Sequence, residues 1–556
     1  FPEEPQAASM NFQLAELLLQ NKDFRGAALE YERTAYDYLS HEKSSDAGYA
    51  AVFAYREFLK IASQSERQLV KREVIRSSLR FADSFPKHDK AVLVLVAATD
   101  DLYEMKDYEL AIKTGRKVIK TYPKAKPEYL RSVWLVVAHA SFDITSYKDA
   151  EDAYVKVLTM TPKQQKAYSD LSENLAASIY KQGEQARLLE DYKTAAGHFL
   201  RVAKVVPGAK IRATAEYDGA AALIALKDWP QAAQVLVNFR KRYPKHEYQH
   251  DITKKLAIVY KEDGKLLQAA NEFERIERES KDNDIRREAL LQAAELYEKA
   301  ENEDRALAVY NRFVKYFPTP IEFVLDTRQK IADIYLKRKQ HKLYIAELKT
   351  IIRADARAGK ARTDRTRYLA AKASLVMVEP LMDKYTQVKL VKPFKRNLKK
   401  KKKRMKTAID AFTKLVDYEV GEVTAAATYY IAEIYMQFSK ALMTSERPKN
   451  LNELELEQYE LVIEEQAFPF EEKSINVHEK NMELLDLGIY NEWIDKSIEK
   501  LAAIVPARYA KPEVKSEFVR SMVPDFYRSK PEPVKQEVES SPETKDASTV
   551  MIEAGS

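Results

Sequence analysis

The stretch Lys227–Pro244, KDWPQAAQVLVNFRKRYP, has the residue spacing that decides the fold. Counting from Ala232, an apolar residue follows after four positions (Leu236), an aromatic after seven (Phe239) and a proline after twelve (Pro244). Residues three, four and seven positions apart share one face of a helix, and proline cannot continue a helix. The stretch therefore predicts an amphipathic helix that ends near its proline.

The same interval of twelve residues between an alanine and a proline recurs through the first two thirds of the chain. The other pairs are Ala111 and Pro123, Ala150 and Pro162, Ala195 and Pro207, and Ala306 and Pro318. Copies in one phase indicate a repeat protein. With Ala269 added, the alanines, here called the anchor alanines, are spaced by 39, 45, 37, 37 and 37 residues; they are Ala111, Ala150, Ala195, Ala232, Ala269 and Ala306.

Each copy is predicted to be two antiparallel helices. Small residues stand twelve positions before four of the anchors, where they let two helices approach closely; they are Ala138, Ala220, Ala257 and Ala294. Larger side chains stand four positions after five of the six anchors and fill the seam with the next pair; they are Tyr154, Phe199, Leu236, Phe273 and Tyr310. The interval of 45 residues is six longer than the one before it and eight longer than the one after it, so we expect one helix pair to project by about two turns. That projection is either a longer hairpin or a contact for a partner.

This order of small residue, small residue, aromatic and proline resembles the tetratricopeptide repeat. The resemblance covers roughly residues 11–318 and weakens toward Tyr430. It implies an all-α fold, a right-handed superhelical α-solenoid of antiparallel helix pairs, with a C-terminal helical extension. The period of 37 residues exceeds the family's period of about 34, which implies longer helices or turns.

Composition divides the chain into five segments. A proline-rich flexible leader, a basic cluster and a tail poor in core-forming residues separate the helical parts. The predicted division is 1–9 flexible leader, 10–390 solenoid, 391–407 basic connector, 408–527 C-terminal helical region and 528–556 disordered tail.

The composition also excludes several classes of site. There is no cysteine, so disulfides, thiolate zinc sites and cysteine nucleophiles are excluded. The absence of thiols favours an extracytoplasmic location, while a cytoplasmic one stays open. No run of eighteen apolar residues suggests a membrane span. The first residue is Phe1, from which we expect a processed chain or a fragment.

We find no sequence pattern typical of catalysis. The motifs HExxH, GxSxG, GxxxxGK and CxxC do not occur, and the eight histidines are scattered singly. His139 and His198 fall within repeats, where a structural role is the simpler interpretation. The sequence therefore predicts a protein that is not an enzyme and needs no cofactor.

A basic cluster is the sharpest local feature. It is either a solvated connector, a contact for anionic lipid or an acidic protein, or a phosphate-binding surface for nucleic acid. Only Phe394 could stack on bases, which makes nucleic acid the weakest of the three. The cluster comprises Lys392, Lys395, Arg396, Lys399, Lys400, Lys401, Lys402, Lys403, Arg404 and Lys406.

Solenoids usually bind partners on the concave face, which the first helix of each pair lines. Counting back from the anchors gives ten positions that we expect on this face, here called the first-helix face. Its mixture of apolar, aromatic and charged residues suits a protein or peptide partner. The positions are Ser132, Leu135, His139, Tyr217, Ile224, Lys254, Lys261, Glu288, Glu295 and Glu298.

The C-terminal third has a second resemblance. The segments SERPKNLNELELEQYELVIEEQAFPFEEK and YNEWIDKSIEKLAAIVPARYAKPE are similar to large proteobacterial tetratricopeptide proteins of gliding-motility and ExbB/ExbD- or Tol-type envelope systems. This resemblance implies a non-catalytic scaffold for envelope proteins, in the periplasm or at the outer membrane. Two alternatives remain open, namely an outer-membrane assembly lipoprotein and a nucleic-acid-binding repeat protein.

Overall fold

A computed structural model describes residue 4 and residues 6–510 of the chain. Within these residues every regular element is a helix, which confirms the all-α class of stacked helix pairs. The chain divides into two compact units, residues 1–317 and residues 318–556. The predicted tail at 528–556 lies outside the described residues.

The N-terminal unit alternates first and second helices of successive pairs. Its helices are α1 (Ala7–Gln20), α2 (Phe24–Tyr36), α3 (Ser44–Ile61), α4 (Arg67–Ser84), α5 (Ala91–Glu104), α6 (Tyr108–Thr121), α7 (Pro127–Asp143), α8 (Tyr147–Thr159), α9 (Lys166–Leu188), α10 (Tyr192–Val205), α11 (Arg212–Ala225), α12 (Trp229–Arg242), α13 (Gln249–Glu262), α14 (Leu266–Glu279), α15 (Asn283–Lys299) and α16 (Glu303–Tyr316). Because α1 begins at Ala7, the last residues of the predicted leader are helical.

The anchor alanines mark the core of the stack. Each is the fourth residue of a second helix and is fully buried. Ala138, Ala220, Ala257 and Ala294 are fully buried as well, so the predicted close approach of the helices is confirmed. Gly183 extends this pattern, since a Cβ added there would lie 2.7 Å from the ring of Phe199.

The long interval is explained by a single helix. The first helix α9 has 23 residues, whereas its partner α10 has 14, the length of α12, α14 and α16. The extra residues lengthen the first helix alone, and most of its first five residues are exposed.

In every pair of the N-terminal unit except α3 with α4, the turn uses a left-handed residue just before the second helix. This position has φ of +60° at Lys227 and +71° at Gly264, and it is also left-handed at Lys22, Lys106, Thr145, Glu190 and Glu301. After α11, the Asp228 backbone N–H donates to the Leu223 carbonyl, which satisfies the end of that helix. Side chains other than glycine occupy most copies, so the tertiary contacts outweigh the local strain.

Replacing Gly264 with alanine is expected to lower the free energy of unfolding by about 1 kcal/mol, because alanine is strained at this φ. No heavy atom lies within 4 Å of the added Cβ, so the loss reports backbone conformation alone. Gly208→Ala is the matched control. It also meets no atom, and its φ is not left-handed, so it should leave stability unchanged or raise it slightly. Denaturant titration of both variants measures the difference, and equal stabilities would contradict this explanation.

The C-terminal unit contains longer helices. They are α17 (Ile321–Lys337), α18 (His341–Arg357), α19 (Asp364–Val378), α20 (Pro380–Thr386), α21 (Phe394–Val416), α22 (Gly421–Met443), α23 (Glu453–Met482), α24 (Glu492–Ile504) and α25 (Pro506–Tyr509). The predicted connector at 391–407 is therefore mostly the first half of α21. Ala408 and Phe412, farther along this helix, are fully buried, so the basic segment is anchored to the core of its unit.

None of the described helices has both the length and the apolar character required to cross a membrane.

Candidate interaction surfaces

The structure places the ten residues of the first-helix face on α7, α11, α13 and α15, which are all first helices. They differ in exposure along the chain. The residues on α7 and α11 are half-buried, as is Glu295, whereas four residues of the last two helices are exposed; these are Lys254, Lys261, Glu288 and Glu298. The part of the face that is open to a partner therefore lies on α13 and α15.

Tyrosine–aspartate hydrogen bonds link successive first helices. Tyr103 of α5 donates to Asp143 of α7 over 3.1 Å, and Tyr217 of α11 donates to Asp251 of α13. Tyr180 of α9 donates in the same way to Asp218 of α11. These bonds hold the relative register of neighbouring repeats.

Of these three tyrosines, only Tyr217 was among the positions predicted from the sequence. A signal for a second existed, because Tyr180 and Tyr217 each precede an anchor alanine by fifteen residues. Tyr217 is less free than we expected, since its ring also lies 5.1 Å from the ammonium of Lys255. Its hydroxyl and its ring are both engaged within the protein.

The two histidines noted within the repeats, His139 and His198, pack against other side chains of the protein. His139 lies between the rings of Tyr103 and Tyr154, with ring centroids 6.0 and 5.7 Å away, and burial lowers its pKa. Burial, aided by Arg201, also lowers the pKa of His198. Both imidazoles are thus biased toward the neutral form, as is typical of packed histidines.

The basic cluster forms one broad face of α21. Its exposed members on the helix are Lys395, Arg396, Lys399, Lys400, Lys402, Lys403 and Lys406. None of these seven makes an ion pair with a carboxylate anywhere in the described chain. Lys392 precedes the helix and lies 3.9 Å from Glu446. The face therefore presents positive charge that no carboxylate among residues 6–510 neutralises.

Lys401 does not belong to this face. Its ammonium is buried, donates to the Val388 carbonyl over 3.0 Å and lies 4.3 Å from the centroid of the Tyr385 ring. Burial lowers its pKa. Arg404 is half-buried and donates to the Lys384 carbonyl. These two cations contact backbone carbonyls around the end of α20. The predicted basic patch was therefore wrong to include them as exposed residues.

A buried polar cluster joins α22, α23 and α24. The imidazole of His478 is fully buried, with Nδ1 at 3.1 Å from Ser497 Oγ and Nε2 at 3.7 Å from Glu433 Oε1. Lys500 Nζ lies 3.0 Å from the same carboxylate. Burial opposes the ionisation of Glu433, but His478 and Lys500 outweigh it and hold its pKa below the usual range. Sequence reasoning gave no sign of this cluster.

In the part of the chain that the structure describes, no group of three or more histidine, aspartate or glutamate residues is placed to hold a metal ion.

Residues 288–320 match the family model of the tetratricopeptide repeat. They cover most of α15, all of α16 and the proline that follows, and they include the anchor Ala306. The predicted resemblance is thereby confirmed at this repeat, and the other anchors occupy the same structural position as Ala306. No curated protein sequence matches the chain.

Solved tetratricopeptide repeat proteins are similar to parts of the chain. One from Parabacteroides merdae is 13% identical with a TM-score of 0.21, covering 48% of this chain and 95% of that one. The C-terminal part of one from Cytophaga hutchinsonii is 15% identical with a TM-score of 0.22, covering 48% and 97%.

Proposed function

We propose that this protein is a non-catalytic scaffold that binds other proteins in a bacterial cell-envelope complex of the energy-coupled transport or motility type. The observation that supports binding is the first-helix face, where tyrosine–aspartate bonds fix the register of the first helices from α9 to α13. A surface held in this way loses little conformational entropy when a partner docks. The envelope assignment rests on the resemblance of the C-terminal third, from which we expect a location in the periplasm or at the outer membrane.

The exposed charges indicate what kind of segment would bind. Lys254 and Lys261 on α13 lie two helical turns apart, and Glu288 and Glu298 follow on α15. A peptide or helix with acidic residues toward α13 and basic residues toward α15 would complement both signs. Such charge complementarity selects the partner and its orientation.

The test is an affinity capture from bacterial membranes with the purified protein as bait. We expect envelope proteins to be recovered, and we expect Lys254→Glu with Lys261→Glu to abolish their recovery. The matched control reverses Lys241 and Lys245, which are exposed on α12 and in the turn after it. Recovery of ribosomal or soluble RNA-bound proteins alone would overturn the proposal, as would equal recovery by the two charge-reversed variants.

A further inference from the structure

Helix α23 has an exposed strip with a period of seven residues. Leu454, Leu461 and Phe468 stand seven apart and are 65%, 61% and 63% exposed. The flanking positions keep the same period, with glutamates on one side and a glutamine and two glutamates on the other. We call these nine residues the acidic strip: Leu454, Glu457, Gln458, Leu461, Glu464, Glu465, Phe468, Glu471 and Glu472.

The acidic strip points away from the core of its unit. Ile463 and Ala467, on the opposite side of α23, are buried against the cluster that includes α22. Between positions 452 and 472 the chain has eight glutamates and no lysine or arginine. Within the described part of the chain, only Glu460 of these glutamates forms an ion pair, with Arg447 at 3.3 Å, and it lies outside the strip. The apolar seam is thus bordered by uncompensated negative charge.

Six of the seven exposed cluster residues on α21 have the same period. Lys395 and Lys402, Arg396 and Lys403, and Lys399 and Lys406 are pairs that stand seven residues apart. We call these six residues the basic strip. It extends for about 17 Å along α21, and the acidic strip for about 27 Å along α23, so the longer strip can hold the shorter one along its whole length.

We propose that the acidic strip of one copy of this protein binds the basic strip of a second copy. Helices whose contact residues repeat every seven positions align lengthwise at a shallow crossing angle, so that each repeat meets the next. Lysine ammonium groups then reach the flanking glutamates, while their aliphatic stems cover Leu454, Leu461 and Phe468. Opposite charge and a shared period therefore favour this pairing.

The alternatives fit the two strips less well. Two acidic strips would place like charges opposite each other, which opposes a symmetric pair of α23 helices. Within one chain α22 packs against both helices, and the basic strip makes no ion pair with the glutamates of α23 in the described residues. Each copy would then offer one strip of each sign, so contacts between copies are head-to-tail and build rings or open chains.

The test is sedimentation velocity of the full chain over about 1–100 µM protein at low and high salt. We expect association that grows with concentration and weakens with salt. The variant Lys395→Glu, Lys399→Glu, Lys402→Glu and the variant Glu457→Lys, Glu464→Lys, Glu471→Lys should each associate at least about tenfold more weakly. In a mixture of the two variants, the unaltered acidic strip of the first can bind the unaltered basic strip of the second, so association should return.

The control reverses Lys342, Lys349 and Lys360, which are exposed in the same unit outside the basic strip, and it should associate like the unaltered protein. A monomer at every concentration would overturn the proposal, as would variants that associate normally or whose mixture fails to associate. If the unaltered protein stays monomeric but binds anionic vesicles through Lys395, Lys399 and Lys402, the basic strip binds a membrane and the proposal is wrong.

Discussion

Replacing Phe239 with alanine is expected to lower the free energy of unfolding by about 3–5 kcal/mol, the usual cost of removing a buried phenylalanine ring. Phe239 is fully buried on α12. Its ring packs 4.8 Å from the ring of Tyr243 and edge-on to His246 at 5.3 Å, by centroid distance. The alanine would leave a cavity between two consecutive helix pairs.

The loss should be concentrated near this cavity. In a stacked array each repeat contacts its neighbours only, so stability is nearly a sum of local terms. Hydrogen exchange should therefore speed up mostly in α11, α12 and α13 and hardly at all in α1 and α2. Gln234→Ala is the control, since Gln234 is exposed on the same helix and its loss should change stability by less than about 0.5 kcal/mol. A uniform increase in exchange over the whole unit would contradict the local picture.

The sequence predicts the stack well because packing between repeats imposes a strict rule on single positions. A side chain larger than alanine at Ala232 or Ala306 would hold two helices apart, and both residues are fully buried. The prolines also keep a fixed position in each repeat, since Pro244 comes two residues after α12 and Pro318 two residues after α16. Such positions are visible in a sequence because they recur at one interval.

The surfaces are harder to predict because their geometry depends on contacts between residues that no interval connects. Lys401 lies in the middle of the basic cluster, yet the helical rotation turns it toward Tyr385 and the end of α20. Glu433, His478 and Lys500 meet only because three separate helices converge. In both cases the contacts of these side chains could be found only in the structure.

Alkaline pH is expected to unfold the protein, because buried tyrosines must lose a proton to become charged. Burial, aided by Glu32, raises the pKa of Tyr55 to about 12, and burial with Asp143 raises the pKa of Tyr103 to about 12. Burial raises the pKa of Tyr154 and Tyr310 still further. In the unfolded chain these groups titrate near pH 10. Their stabilising contribution is therefore complete below about pH 10 and is lost as the pH rises from about 10 to 12.

The size of this effect follows from proton linkage. Each buried tyrosine that stays protonated in the fold lowers the free energy of unfolding by up to about 1.4 kcal/mol for each pH unit above 10. Lys401 has the opposite effect on the free energy of unfolding. Because its pKa is lowered in the fold, the folded protein loses this proton at a lower pH than the unfolded chain does. This single group is outweighed by the several tyrosines. Denaturant titrations at about pH 9, 10 and 11, with tyrosinate absorbance recorded alongside, measure the slope.

Tyr154→Phe provides the matched variant for this slope. Tyr154 is buried, so phenylalanine keeps the packing and removes one titrating group. Its stability should fall less steeply above pH 10, by up to about 1.4 kcal/mol per pH unit. If the tyrosines of the folded protein instead titrate near pH 10 without loss of helix, the phenols are accessible to water and their burial does not couple the fold to pH.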